Sequence, residues 1–163
     1  MIQLREFEEQ DADALVKHLN NEVVIRYLTG RIPFPYTQKD AEWWIQTGHK
    51  EGIVRAIQYE EKFAGVIGVH PGSYHHAKNA EIGYWLGEEF WGKGIATKSV
   101  GIMTARAFQT KNIVRIYAPV FAPNKLSMRV LEKNGYTLDA VFRKNVFKNG
   151  ELLDEHVYSK YNS

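Results

Sequence analysis

Polar and apolar residues alternate, or gather in short apolar runs, over Ile2–Phe7, Ile53–Tyr59, Phe63–Val69, Ala80–Leu86, Val114–Val120, Tyr136–Arg143 and Leu152–Tyr161. Spacing of that kind predicts strands, each with one face turned to a core. Between them the apolar spacing changes to that of helices. Asp11 is placed to cap a helix through Ala14, Leu15 and Leu19 that extends on to Tyr27 and Leu28. Thr37 with Asp40 forms a capping-box start to a helix bearing Trp43, Trp44 and Ile45 and ending near Gly48. Ile95–Gln109 and Asn124–Asn134 are further helices, the second closed by Gly135 at the C′ position. Glu60-Glu61-Lys62 joins two strands into an antiparallel hairpin, and Lys148-Asn149-Gly150 turns the last two. Gly30–Tyr36, with Pro33 and Pro35, and the stretch from Pro71-Gly72 to Lys78 are loops. This order of elements predicts a mixed α+β sheet with helices on both faces, and fits a fully parallel doubly wound domain poorly.

At 163 residues the chain is long enough for one substantial core and short for two, so a single domain over residues 1–163 is expected. A net charge of +2 with both signs interspersed gives no basic stripe for nucleic acid. Cysteine is absent, which excludes disulfides, thiol nucleophiles and thiolate metal sites. The six histidines show no metal-ligand spacing, and His75-His76 sits in a polar loop. Neither a leader peptide nor a membrane-spanning run is apparent, and a cytoplasmic protein is expected.

The most telling stretch is Leu86 to Thr110, where a strand end leads through Trp91-Gly92-Lys93-Gly94-Ile95-Ala96 into an apolar helix. Glycines without Cβ let a ligand approach the main chain, and the first amides of the helix lack intrahelical acceptors and carry its positive dipole end. A phosphate satisfies both, although two glycines could also do no more than tighten the turn. Gly87 to Lys93 matches seven positions of the nucleotide-triphosphatase loop, but Gly94 stands where a hydroxyl should ligate Mg²⁺. The dinucleotide fingerprint fails at Thr97, and the turn lies mid-chain after antiparallel strands.

Taken with Ala80-Glu81-Ile82-Gly83-Tyr84-Trp85, Ala122-Pro123-Asn124-Lys125-Leu126-Ser127 and Leu131-Glu132-Lys133-Asn134-Gly135-Tyr136, the turn resembles the GNAT superfamily of acetyl-CoA-dependent N-acetyltransferases. Arg143, Gly150 and Asp154-Glu155-His156-Val157-Tyr158 resemble the ending of its RimJ/RimL-like branch, the ribosomal-protein N-terminal acetyltransferases. The resemblance implies a GNAT-like fold: a mostly antiparallel twisted sheet of about seven strands, with a splayed strand pair at the cofactor site. Two departures stand out. Trp91 holds the place at the loop's start where the family usually has Gln or Arg, and Leu131 the place of the tyrosine that commonly protonates the departing thiolate.

The resemblance also distributes roles. Main-chain amides of Gly92, Lys93, Gly94, Ile95 and Ala96 would hold the coenzyme's diphosphate, with added charge from Lys93, and Trp91 and Thr97 complete the cofactor-binding stretch. The main chain of Leu86 would bond the pantetheine arm, and Asn124 the cofactor, while also suiting a helix cap. Ser127, one turn on, is the candidate to pass a proton to the thiolate, or is a small residue packed beside the cofactor. Glu81 is the candidate general base toward an ammonium whose solution pKa is about 7.7–8.0. Phe34, Tyr36, Trp43, Trp85, Trp44 and Tyr27 are candidate acceptor-cleft walls, some of them core. Asp154 and Tyr158 share a sheet face near the cleft, although a pairing with Arg143 would explain Asp154 too.

The activity implied is direct acetyl transfer from acetyl-CoA, without a metal, to a primary amine, first of all the α-amine of a protein or peptide. Acetylation of a polyamine or aminoglycoside, with Glu22, Asp40 and Glu42 lining an acidic pocket, is the alternative, and an inert coenzyme-binding module is the third. Aromatic residues near the closing hairpin would suit a homodimer or higher homo-oligomer. Neither a nucleic acid nor a membrane is expected as partner.

Overall fold

The computed structural model describes residues 1–110 and 112–162. Seven strands are formed: β1 (Ile2–Arg5), β2 (Ile53–Tyr59), β3 (Lys62–Pro71), β4 (Asn79–Leu86), β5 (Arg115–Phe121), β6 (Thr137–Lys148) and β7 (Glu151–Tyr161). They hydrogen-bond side by side in the order β1-β2-β3-β4-β5-β7-β6. The helices are α1 (Ala12–Leu19), α2 (Glu22–Ile25), α3 (Gln38–Gln46), α4 (Ile95–Thr110) and α5 (Lys125–Lys133). The chain divides into two compact units, Met1–Gly68 with Tyr84–Ser99, and Val69–Gly83 with Val100–Ser163. Among the described residues, no helix is long and apolar enough to cross a membrane.

In the first unit β1 runs antiparallel to β2, from Ile2 opposite Tyr59 to Arg5 opposite Ala56. Leu15, Leu19, Tyr36, Ala41, Val54 and Phe63 form its apolar core, with Phe7, Trp44 and Trp85 packed against them. Asp11 does not cap α1 as its position suggested. Its buried carboxylate instead takes both arms of the Arg5 guanidinium at 2.9 Å and the Glu8 N–H at 2.8 Å, pinning β1 to the helix start. Nor does one helix run on to Tyr27 and Leu28. It stops at Leu19, and Asn21 begins α2 by accepting the Val23 N–H at 3.0 Å. Two consecutive asparagines favour such a break, because their short amides compete with the helix for backbone groups. The Thr37–Asp40 capping box forms as expected.

In the second unit β4 and β5 run parallel, paired from Asn79–Arg115 to Glu81–Tyr117. The register ends there, although β4 continues to Leu86 and β5 to Phe121. On its other side β5 pairs antiparallel with β7 along its whole length. The β6–β7 hairpin turns through Asn149 and Gly150, both at left-handed φ of 51° and 79°. β6 runs past the expected end at Arg143 to Lys148, through an irregularity between Phe142 and Val146 where Lys144 has φ 53°. The Asp154 carboxylate accepts the Lys144 N–H at 2.9 Å, so this acid secures the bulge. Both faces of β6 are largely exposed, and the strand leaves Leu138, Val141, Phe142 and Phe147 open to solvent.

Candidate functional site

The chain leaves β4 through a single helical turn at Glu88–Phe90 and reaches α4 through Trp91-Gly92-Lys93-Gly94. Gly92 and Gly94 both have φ of +75°, and a Cβ built on either would meet no atom within 4 Å. Two left-handed residues flanking an ordinary one turn successive N–H groups toward one side, the arrangement that cups an anion. The N-terminal amides of α4, from Ile95, follow directly, and these 16 residues supply the helix dipole. Intramolecular bonds fix the turn from behind. Gly87 N–H donates to Ala64 O at 2.8 Å, Trp91 N–H to Glu88 O at 3.1 Å, and the Trp91 indole N–H to Leu86 O at 2.9 Å. Trp91 therefore ties the loop to the strand end through its side chain, a contact that Gln or Arg could make only differently. Lys93 lies with its ammonium 5.8 Å from the centroid of the Tyr59 ring. Ala96 and Thr97 are half-buried in the first turn of α4, where Thr97 has a partner of its own.

Helix α1 buttresses this segment. The Lys17 ammonium lies 2.8 Å from Glu89, holding that carboxyl below its ordinary range, and the Asn21 amide donates to Glu88 at 2.8 Å. Between them His18, 5% exposed, lies against Gly87, where any Cβ would meet the ring at 2.4 Å. Its ring also faces those of Phe90 and Trp85 at 6.0 and 6.3 Å. Burial first, and then the charge of Lys17, push the imidazole below its ordinary 6.5, with Glu89 opposing. Well above pH 6.5 the ring is neutral whether the chain is folded or not; as pH falls through 6.5 the unfolded chain takes the proton first, so stability falls until the folded ring is protonated as well. Unfolding free energy measured from pH 8 to 5 should decline on the acid side, and the decline should be shallower in His18→Phe. An unchanged slope would exclude His18 as its source.

The second unit carries the remaining candidates. Glu81 is exposed on β4, with Tyr117 as its register partner on β5. Burial, then the Glu81 carboxylate, push the Tyr117 hydroxyl above its ordinary 10. Asn124 caps α5, its side-chain oxygen accepting the Ser127 N–H at 3.3 Å. Ser127 is half-buried in the first turn. Leu131 is wholly buried, so the place of the usual acid is part of the core. Tyr158 is buried too, its hydroxyl pushed up by burial and by Glu132.

The aromatics expected along an acceptor cleft separate by exposure. Phe34 and Trp43 are 52% and 59% exposed. Tyr36 is core, its hydroxyl pushed up to about 12 chiefly by burial, and Trp85 and Trp44 pack against the same cluster. Tyr27 is half-buried beneath the Arg26 guanidinium. His18, Asn21 and Tyr117 gave no signal in the sequence: each depends on a partner distant along the chain. Among the described residues no group of His, Asp or Glu could hold a metal ion.

Comparison with known proteins adds four findings. Residues 2–137 match the family model described as Acetyltransferase (GNAT) domain. An uncharacterized N-acetyltransferase of Bacillus subtilis, YoaA, is 32% identical over 163 residues, covering 96% of this chain and 90% of its own. The ribosomal-protein-serine acetyltransferase of Escherichia coli is 29% identical over 78% of this chain and 73% of its own. Among solved structures, the microcin C7 self-immunity acetyltransferase MccE, in complex with acetyl-CoA and AMP, superposes with a TM-score of 0.84 at 27% identity, over 99% of this chain and 92% of that one.

Proposed function

This chain belongs to the GNAT acetyltransferase family and is an acetyl-CoA-dependent N-acetyltransferase, and from that premise we propose that its acceptor is the α-amine of a protein or peptide N-terminus. The E. coli relative, named for a ribosomal-protein serine, supports that acceptor class and the RimL-like assignment. The observation that carries the cofactor site is the open pair of left-handed glycines leading into α4. We place the coenzyme diphosphate there, on the amides of residues 92–96, and the reaction in the cytoplasm. The family model spans residues of both units, which favours their acting as a single domain.

In the proposed reaction the neutral amine attacks the thioester carbonyl carbon, and the new C–N bond forms as the carbonyl electrons move onto oxygen. Collapse of that tetrahedral oxyanion breaks the C–S bond and expels the coenzyme thiolate, while the nitrogen loses its proton to give the amide. Glu81 is assigned as base, directly or through water, with Tyr117 beside it on β5. Asn124, its oxygen held by the α5 cap, offers its amide hydrogens to the cofactor, and Ser127 is the hydroxyl assigned to protonate the thiolate. Phe34 and Trp43 are the exposed rings left to contact an acceptor.

The direct test supplies acetyl-CoA with N-terminal peptides, polyamines and aminoglycosides and follows free thiol release. Peptide-dependent release is expected; release with polyamines alone would move the acceptor to small amines, and release with none would overturn the proposal. Glu81→Gln should lower kcat/KM by about a hundredfold and alter its pH profile. A profile that keeps its shape would remove Glu81 as base.

A further inference from the structure

Asn20 and Asn21 stand side by side in the break between α1 and α2, and their amides reach in different directions. Asn20 holds the end of the proline loop: its oxygen accepts the Tyr36 N–H at 2.8 Å, and its nitrogen donates to Tyr36 O and to Val16 O, both at 2.8 Å. Asn21 holds the segment entering the glycine turn: its oxygen caps α2, and its nitrogen donates to Glu88 at 2.8 Å. Three residues separate Glu88 from Gly92, and Trp91 N–H closes the stretch by donating back to Glu88 O. Lys17–Glu89 and the His18 ring on Gly87 bind the same two segments. The loop bearing Phe34 and the turn assigned to the coenzyme are thus tied to one two-residue joint.

We infer that the Asn20–Asn21 joint couples the two substrate sites, so that coenzyme bound at residues 92–96 tightens the loop at residues 29–36. The inference rests on the cofactor and acceptor assignments above. An anion seated on the turn restrains Glu88 through the intervening residues; Glu88 restrains Asn21; and Asn20, next in the chain, bears directly on the Tyr36 backbone. Neither asparagine touches a reacting atom, so both are positioning residues. Because coupling between two binding equilibria is reciprocal, an acceptor settling on the loop would strengthen coenzyme binding by the same factor. One exposed hydrogen bond transmits little, about two- to tenfold.

The variant Asn21→Asp isolates the link. Its carboxylate still accepts the Val23 N–H, so α2 keeps its cap, but it has no hydrogen to give Glu88 and repels it. Pairing it with Glu88→Gln exchanges donor and acceptor and restores the bond. Hydrogen–deuterium exchange is measured with and without saturating coenzyme A. In the natural chain the amides of residues 92–96 and the Tyr36 amide should both slow on binding, the latter by about two- to tenfold. In Asn21→Asp, residues 92–96 should still slow while Tyr36 does not respond, and in the Asn21→Asp, Glu88→Gln pair the response at Tyr36 should return. Protection at residues 92–96 of the natural chain without any at Tyr36 would overturn the inference alone. Coenzyme binding that leaves residues 92–96 unprotected would overturn the cofactor assignment and the inference together.

Discussion

Gly94→Val should raise the dissociation constant for coenzyme A by at least about tenfold, the equivalent of 1.4 kcal/mol, while costing the fold little more than the backbone strain itself. The expectation follows from what surrounds the residue. At φ +75° an L-residue is strained, by about 1–2 kcal/mol, and a β-branched one more. Yet a Cβ there would meet nothing of the protein, so no neighbour is displaced. On the proposed placement of the diphosphate over residues 92–96, the added side chain would compete with it for that open space. Calorimetry with coenzyme A, beside thermal unfolding of the same samples, separates the two effects. Gly94→Ala should keep most of the strain with less of the bulk and fall between the natural chain and valine. Undiminished coenzyme affinity in Gly94→Val would show that the anion is not held on this turn.

What the residues disclosed in advance, and what they hid, divides by the range of the interactions. The glycine turn was legible because its chemistry is local: two glycines, a strand before and a helix after. The Thr37–Asp40 box and the Asn124 cap were legible for the same reason, each closing within three residues. The break at Asn20–Asn21 was not, because Val24 and Leu28 continue a helical spacing across it and only the Asn21 cap, and the contacts of both amides, reveal the interruption. The far end of β6 is hidden in the sequence because its faces are both exposed, which erases the alternation that marks a half-buried strand. Lys144 adds a bulge whose left-handed residue is a lysine, not a glycine, so composition gave no warning. Least legible were the partners that shape the site. Nothing near Glu88 and Glu89 in sequence names their partners; the fold turns them toward Asn21 and Lys17, 67 and 72 residues away, where they brace the turn. Tyr117 becomes the neighbour of Glu81 only through a parallel register that no local pattern announces.

Gly65→Ala should be the more damaging substitution for the fold, although it adds only one methyl group. The new Cβ would lie 2.1 Å from the Trp85 carbonyl oxygen, 2.9 Å from Leu86 Cα and 3.0 Å from Leu86 Cδ2. Two of the three are backbone atoms, which no rotamer change can withdraw, so β3 and the end of β4 must part. The bond from Gly87 N–H to Ala64 O, beside the clash, lies in the path of that movement. Overpacking a dense interior costs about 1–3 kcal/mol, and a clash with main chain belongs at the upper end, about 3 kcal/mol. The same displacement carries Leu86, whose carbonyl receives the Trp91 indole N–H, away from the glycine turn it anchors. Denaturant unfolding should therefore show a lowered midpoint, and below that midpoint the folded variant should bind coenzyme A more weakly than its stability loss alone explains. A variant that matches the natural chain in both measurements would mean that β3 and β4 do not approach so closely, and that Leu86 is not held in place from behind.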